Sequence, residues 1–320
     1  MTGISSLLRG KDAILIAGPT ASGKSPLAVE LASLVGGVVV NADSMQVYGG
    51  LRIVTARPNP VEEARAPHRL YGHIAPESPY SVGAWLREAT QAVEEIRAEG
   101  RVPIFCGGTG LYFRALLGGL DAMPAIPAEV RGRMRAIFAA EGADALHARL
   151  SSLDKEGASR LSPGDSQRVL RALEVVEATG KPISAFQSGK GQALLDAEKT
   201  LKVVLTPERA VLRERIAARF DIMLEEGAVE EVAAFRVAYP AALGGTARKA
   251  IGVEELGRYL DGLGTLAEAR QRAVDRTRQY AKRQETWFRH QFDGNWLRVS
   301  GRDSLFAQLT EFGTSKLTNG

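Results

Sequence analysis

The sequence predicts an α/β fold, a parallel β-sheet flanked by helices and interrupted by a helical insertion domain. Three observations predict it. Short apolar runs alternate with helical patterns over residues 13–105. Glycine-rich turns follow the first and third of those runs, at 18–25 and 106–110. Strand-like runs then cease from 121 until a strand returns at 201–205.

Residues 13–17, Ala-Ile-Leu-Ile-Ala, are wholly apolar, as a strand covered on both faces should be. Residues 18–25 read Gly-Pro-Thr-Ala-Ser-Gly-Lys-Ser and match the phosphate-binding spacing Gly-x-x-x-x-Gly-Lys-Ser/Thr, so the expected sheet is P-loop NTPase-like. Gly18 and Gly23 let the backbone turn so that several N–H groups meet one anion, with Pro19, Thr20, Ala21 and Ser22 between them. Lys24 adds a full charge, and Ser25 can hold Mg²⁺. The next helix carries Leu27, Leu31 and Leu34 on one face and turns its positive end to the same anion. Pro26 falls in its first turn, where a missing N–H costs no intrahelical bond.

A second strand is expected at 38–40, ending in Asn41-Ala42-Asp43, a helix at 82–98 and a third strand at 102–105. Loops at the carboxyl ends of parallel strands form the ligand crevice, which groups 18–25, 41–46 and 106–110. Pro124, Pro127, Pro163 and Pro182 punctuate the helical middle. Helical stretches at 208–237 and 248–290 precede a last strand at 296–299, and the tail from about 313 is expected to fray. The domain reading is a discontinuous core of 1–120 and 200–320 with an insertion at 121–199.

Hydrophobic residues at 45% and charged residues at 24% describe an ordinary globular chain. No apolar stretch approaches the roughly 18 residues that span a bilayer, and the first residues lack a signal-peptide apolar core, so a cytoplasmic protein without membrane partners is expected. The single cysteine, Cys106, excludes an intramolecular disulfide and a Cys-rich zinc site. The net charge of +4 is mild, but Arg270, Arg272, Arg276, Arg278, Lys282, Arg283 and Arg289 crowd one helical stretch opposed only by Asp275 and Glu285. Such a helix is the footprint of a polyanion, or else an ordinary solvated face.

The phosphate loop alone leaves a phosphotransferase open, although the strands at 102–105 and 201–205 end in Cys-Gly-Gly and Thr-Pro instead of an acid. Further blocks narrow the choice. They are Asn41-Ala-Asp-Ser-Met-Gln-Val-Tyr48, Gly107-Gly-Thr-Gly-Leu-Tyr112, Asp165-Ser-Gln-Arg-Val-Leu-Arg171, Lys249-Ala-Ile-Gly252 and Arg278-Gln-Tyr-Ala-Lys-Arg-Gln-Glu-Thr-Trp-Phe-Arg289. In this order, after this loop, they resemble the tRNA dimethylallyltransferase family over residues 13–290.

The resemblance implies transfer of a dimethylallyl group from its diphosphate to N6 of an adenine beside the tRNA anticodon, with Mg²⁺. The loop would then hold a diphosphate leaving group. Asp43 is implied as general base, Thr109 as a donor to the diphosphate or orienter of the attacking nitrogen, and Arg219 as a diphosphate contact. For the tRNA anticodon stem-loop the resemblance implies Asp43, Ser44, Met45, Gln46 and Thr109 near the target base. It adds Gln167, Arg168, Val169, Leu170 and Arg171 on the insertion helix, Arg131 in an Arg131/Arg133/Arg135 cluster, and Lys249, Gly252, Lys282, Arg283 and Arg289 toward the C-terminus. The target base must leave its stack, so a channel with one mouth for each substrate is expected. Arg52 and Val54 stand where the family pattern has Asp and Gly, and Val253-Glu254 replaces an aromatic–basic pair. One cysteine excludes the C-terminal zinc finger of some eukaryotic relatives and implies the bacterial form, expected as a monomer. A relative that prenylates AMP remains the nearest alternative, ahead of a small-molecule kinase and of a nucleic-acid-binding module with a vestigial phosphate site.

Overall fold

The computed structural model describes residues 8, 10–187 and 191–317. Strand β1 (Ala13–Ala17) runs through the phosphate loop into α1 (Lys24–Val35). There follow β2 (Val38–Asn41), α2 (Pro60–Arg65), β3 (His68–Arg69), α3 (Val82–Ala98), β4 (Pro103–Gly107) and α4 (Gly110–Gly118). Helices α5 (Ala128–Leu153), α6 (Lys155–Ser159) and α7 (Ser166–Thr179) come next. The chain then forms β5 (Thr200–Leu205), α8 (Arg209–Glu225), α9 (Ala228–Ala238), α10 (Val253–Leu260), α11 (Leu266–Gln291), β6 (Leu297–Val299) and α12 (Arg302–Leu317).

The six strands form one parallel sheet in the order β3-β2-β4-β1-β5-β6. Alternate strand residues serve opposite faces. Leu15, Val40 and Phe105 meet Trp85, Val93 and Ile96 of α3, Phe113 of α4 and Phe288 of α11. Ile14, Ile16, Val39 and Ile104 meet Leu27, Leu31 and Val35 of α1 and Leu305 and Leu309 of α12. Both faces are therefore covered, which explains the unbroken apolar runs.

The divergences from the sequence reading have local causes. The expected helix at 208–237 is two, because Gly227 takes φ 97° between α8 and α9. The stretch 248–290 likewise divides into α10 and α11, with Gly262 and Gly264 at positive φ between them and a Thr265/Glu268 capping box restarting the helix. Helix α2 buries no residue, so it offers no apolar period to read, and an Asn59/Glu62 capping box specifies it instead. The two-residue β3 is equally silent in the sequence; its pairing with Val39 and Val40 defines it. Backbone helix continues to Leu317 where fraying was expected from about 313, and residues 318–320 lie outside the described residues.

The chain divides into two compact units. One comprises the residues up to Leu117 together with those from Leu194 onward, and the other is Gly118–Ala193. The second unit is helical, with a core of Met134, Leu146, Leu150, Val169 and Leu173, and α5 changes direction at Gly142 (φ 80°, ψ −176°). Its limits lie inside the 121–199 reading at the C-terminal side. Leu194 and Leu195 both donate N–H to the Leu116 carbonyl, and Leu195 is buried in the sheet unit's core.

Two side chains register how tightly the sheet end is built. The buried Trp85 indole donates Nε1–H to the Asn41 carbonyl at 3.0 Å and stacks on Tyr112 at 3.9 Å. Trp85→Phe should lower stability by about 1–3 kcal/mol, the cost of a buried carbonyl left without its partner, read from urea unfolding midpoints. Burial pushes the Cys106 thiol up from 9.0 to about 11, with the Lys24 charge opposing the shift. The folded state thus favours the protonated thiol, and its contribution to stability, complete below about 9, is lost as pH rises toward 11. At pH 8 a disulfide reagent should leave Cys106 unmodified in the folded protein and label it on unfolding in guanidinium.

Candidate active site

The carboxyl ends of β1, β2 and β4 lie side by side, with Ala17 opposite Gly107 and Asn41 opposite Cys106. The phosphate loop, the 42–46 loop and the 107–110 turn leave from these ends. In the phosphate loop Ala21 (φ 62°) and Gly23 (φ 91°) take left-handed backbone, which curls the loop over the start of α1. Two arginines of α8 brace it: Arg219 donates to the Thr20 hydroxyl at 2.5 Å and Arg215 to the Ser22 carbonyl at 3.5 Å.

Asp43 stands on a turn tied at both ends. Asn41 Oδ1 accepts the Asp43 N–H at 2.8 Å, and Asn41 Nδ2 donates to the carbonyls of Asp43 (3.0 Å) and Leu70 (2.9 Å). Asp43 Oδ1 accepts the Met45 N–H at 2.9 Å in an Asx turn, and Asp43 lines a cavity. The 107–110 turn holds this loop: Thr109 N–H donates to the Ala42 carbonyl, and Thr109 Oγ1 accepts the Ser44 N–H at 2.9 Å. Any Cβ at Gly107 would lie 2.0 Å from the Ala42 carbonyl oxygen, so only glycine permits this approach.

Two cavities share Arg219 and Met223 in their walls. One, about 660 Å³, is bounded by Gly23, Lys24 and Ser25 of the loop, Arg215 and Arg219 of α8, and Arg52 and Arg57. The other, about 520 Å³, carries Asp43, Ser44 and Met45 opposite Lys249, Tyr280 and Arg283. Val54, Ile216, Phe220 and Met223 give the second cavity an apolar wall. The loop cavity thus carries Lys24, Arg52, Arg57, Arg215 and Arg219 with Glu62 and Glu226, while the Asp43 cavity combines one carboxylate, an apolar wall and the cations Lys249, Arg276 and Arg283.

Burial lowers the Lys24 pKa, with Cys106 and Asp43 opposing that shift and Arg219 adding to it. Arg219 is lowered by burial too, and Asp43 again opposes. Burial, then the Asp43 charge, pushes the Tyr280 phenol up. Among the described residues no three His, Cys, Asp or Glu side chains cluster to hold a metal ion.

The residues named from the sequence separate into groups. Gly18–Ser25, Asp43, Ser44, Met45, Lys249, Arg219 and Arg283 surround these cavities or form their loop. Gln46, expected at the target base, instead turns its amide to the Thr55 and Ala56 carbonyls (2.8 and 2.9 Å). The Thr109 hydroxyl, expected to face the diphosphate or the attacking nitrogen, is engaged with Ser44, donating to its Oγ at 3.3 Å. Gly252 (φ 107°) is buried at the start of α10, where its N–H donates to the Glu255 carboxylate. Val54, one of the departures from the family pattern, packs against that bare backbone, 3.3 Å from where a Gly252 Cβ would stand. Lys282, Arg283 and Arg289 are exposed on α11 and make no ion pair among the described residues. In contrast Arg270, Arg276 and Arg278 are bridged to Asp221, Glu254/Glu255 and Asp275.

Within the insertion Arg131, Gln167 and Arg168 are exposed, while Arg171 reaches Glu174 at 3.5 Å. Val169 is fully buried and Leu170 packs on the same core, so these two side chains hold the insertion together. Tyr280 and Gln284 stand in the 278–289 block without an assigned role, and Phe220 and Met223 likewise have none from the sequence. Their helical spacing marks only a packed face, and their place at the cavity depends on how α8 and α11 dock on the sheet.

The family model described as IPP transferase matches residues 46–291, and that described as Isopentenyl transferase matches residues 11–74. The tRNA dimethylallyltransferase of Sinorhizobium medicae is 53% identical over 94% of this chain and 98% of its own length. That of Agrobacterium fabrum is 53% identical over 90% and 96%. Among solved structures, the tRNA isopentenylpyrophosphate transferase of Bacillus halodurans aligns with TM-score 0.65 and 33% identity over 97% of this chain and 100% of its own. A eukaryotic dimethylallyltransferase acting on tRNA aligns with TM-score 0.75 and 29% identity over 90% of this chain and 74% of its own. A phosphate loop braced by arginines, a carboxylate in a neighbouring cavity with an apolar wall and these likenesses along the chain agree: it belongs to the tRNA dimethylallyltransferase family.

Proposed function

We infer that the protein transfers the dimethylallyl group of dimethylallyl diphosphate to N6 of the adenine beside the tRNA anticodon, releasing diphosphate. One observation carries this: the phosphate-loop cavity and the Asp43 cavity share Arg219 and Met223 in their walls, and the second joins an apolar wall to a carboxylate. Cations at the loop, an apolar wall and one carboxylate suit an anionic leaving group, a short hydrocarbon and a nitrogen that must lose a proton.

Lys24, Arg219 and the loop N–H groups bind the diphosphate and stabilise the charge that grows on it as the allylic C–O bond breaks. Val54, Phe220 and Met223 shield the hydrocarbon from water. The N6 nitrogen forms the new bond to carbon, and its proton passes to the Asp43 carboxylate. Thr109 serves this step by anchoring the Asp43 loop through Ser44. Ser25, beside Lys24 in the loop cavity, would offer its hydroxyl to Mg²⁺, a hard cation that takes oxygen ligands. When bound, Mg²⁺ would supply neutralisation of the diphosphate charge. Exposed Lys282, Arg283 and Arg289 suit the tRNA backbone, and Gln167, Arg168, Arg171 and Arg131 of the insertion suit further nucleotides. The tRNA acceptor supports a cytoplasmic location, and no described helix is long and apolar enough to cross a membrane. One chain lines both cavities, which supports a monomer as the working unit.

The test is transfer from dimethylallyl diphosphate with Mg²⁺ to unmodified tRNA or to AMP, followed as mass gain on adenine. Transfer to tRNA is expected; transfer to AMP alone would overturn the assignment. Asp43→Asn keeps the oxygen that accepts the Met45 N–H, so the loop should survive while transfer slows by about 10²–10⁴-fold and tRNA affinity stays nearly unchanged. An unchanged rate removes Asp43 as the base. Lys282→Ala with Arg283→Ala should weaken tRNA binding and reduce the slope of log affinity against log salt by about 2.

A further inference from the structure

We propose that Gln284 is a positioning residue for the donor, a single amide that sets the phosphate loop against the 107–110 turn. This rests on the reading of the loop as a diphosphate site. Gln284 lies on α11 and is 5% exposed. Its Oε1 accepts the Thr20 N–H at 2.9 Å, and its Nε2 donates to the Gly108 carbonyl at 2.9 Å. The two partners belong to loops that leave different strands, β1 and β4, and 264 and 176 residues separate them from Gln284.

The chemistry at this position admits little else. Thr20 N–H can only donate and the Gly108 carbonyl can only accept, so the bridge needs one acceptor and one donor without charge. An ionised carboxylate would face the Gly108 oxygen, and an ammonium would face the Thr20 N–H. Gly108 leaves the room that the amide fills: a Cβ there would stand 2.1 Å from Nε2. Thr20 is gripped a second time, since its hydroxyl accepts from Arg219. With its N–H and its hydroxyl both held, Thr20 is fixed in orientation, and the curl of Ala21 to Lys24 starts from that fixed residue. Lys282 and Arg283, exposed on the same helix, stand just before Gln284. The element that offers cations to the polyanion thereby also holds the loop for the leaving group.

The test uses the full chain and inorganic pyrophosphate with Mg²⁺ as probe. Gln284→Met keeps the side chain's length and removes both hydrogen bonds. It should raise the pyrophosphate Kd and the donor KM by about tenfold, the equivalent of ~1.4 kcal/mol, while tRNA affinity changes by less than about twofold. Gly108→Ala in the parent should act the same way by displacing the amide, and should cost little more once Gln284→Ala has vacated the space. Pyrophosphate affinity within about twofold of the parent in folded Gln284→Met would overturn the proposal. Equal losses of pyrophosphate and tRNA binding together with a lowered unfolding midpoint would also overturn it, showing a role in stability alone. If Gln284→Met does not fold, the Gly108→Ala pair decides: full additivity refutes the clamp. Pyrophosphate binding needs neither acceptor nor transfer. A protein that binds it through Gln284 yet leaves tRNA unmodified would refute the functional reading and keep this one.

Discussion

The close approach of β2 and β4 at their carboxyl ends is the constraint on which the site depends. Gly107 passes the Ala42 carbonyl at a distance that no side chain would allow. That approach lets the Ala42 N–H reach the Cys106 carbonyl at 2.9 Å and the Thr109 N–H reach the Ala42 carbonyl at 3.1 Å. Parallel pairing of β1 with β4 then brings the phosphate loop alongside. Three loops, each flexible by itself, become one surface because the strands beneath them are in fixed register. The Trp85 indole, bonded to the Asn41 carbonyl and stacked on Tyr112, seals this junction from below.

Electrostatics follow from the same packing. Burial lowers the pKa of the half-buried Lys24 and Arg219, and the Asp43 charge opposes both shifts. A diphosphate beside them would place its negative charge where these cations and the loop N–H groups already stand, which is the condition for stabilising charge as it develops in a reaction.

Helix α11 joins the two substrate sides. Its buried face, including Ala273, Val274, Thr277, Ala281 and Phe288, docks on the sheet unit. Arg270 and Arg276 are spent on bridges to α8 and α10, which fix the helix in place. The cations near its C-terminal end stay outward, and Tyr280 and Arg283 reach the Asp43 cavity. The raw count of basic residues therefore overstates the charge offered to a polyanion. Only tertiary pairing separates structural arginines from available ones.

Much of this was legible before any coordinates. Strands at 13–17, 38–40, 102–105 and 201–205 stand within two residues of their observed limits because a sheet covered on both faces writes itself as apolar runs. The phosphate loop was legible because its backbone geometry demands glycines at fixed spacing. Helix α2 and strand β3 were not, since neither buries a patterned face. Gln46 and Thr109 were identified as chemistry-bearing types, yet whether a polar side chain faces a ligand or a neighbouring backbone depends on which groups the fold places within hydrogen-bond reach. Here both turned to backbone or loop partners. Local chain chemistry by itself determined the strands, the anion cradle and the acid beside it, because these depend on residues adjacent in sequence. The apolar wall of the Asp43 cavity, the arginine braces and the Gln284 bridge were decided only by tertiary structure, because each joins residues more than a hundred positions apart through docking that no periodicity encodes.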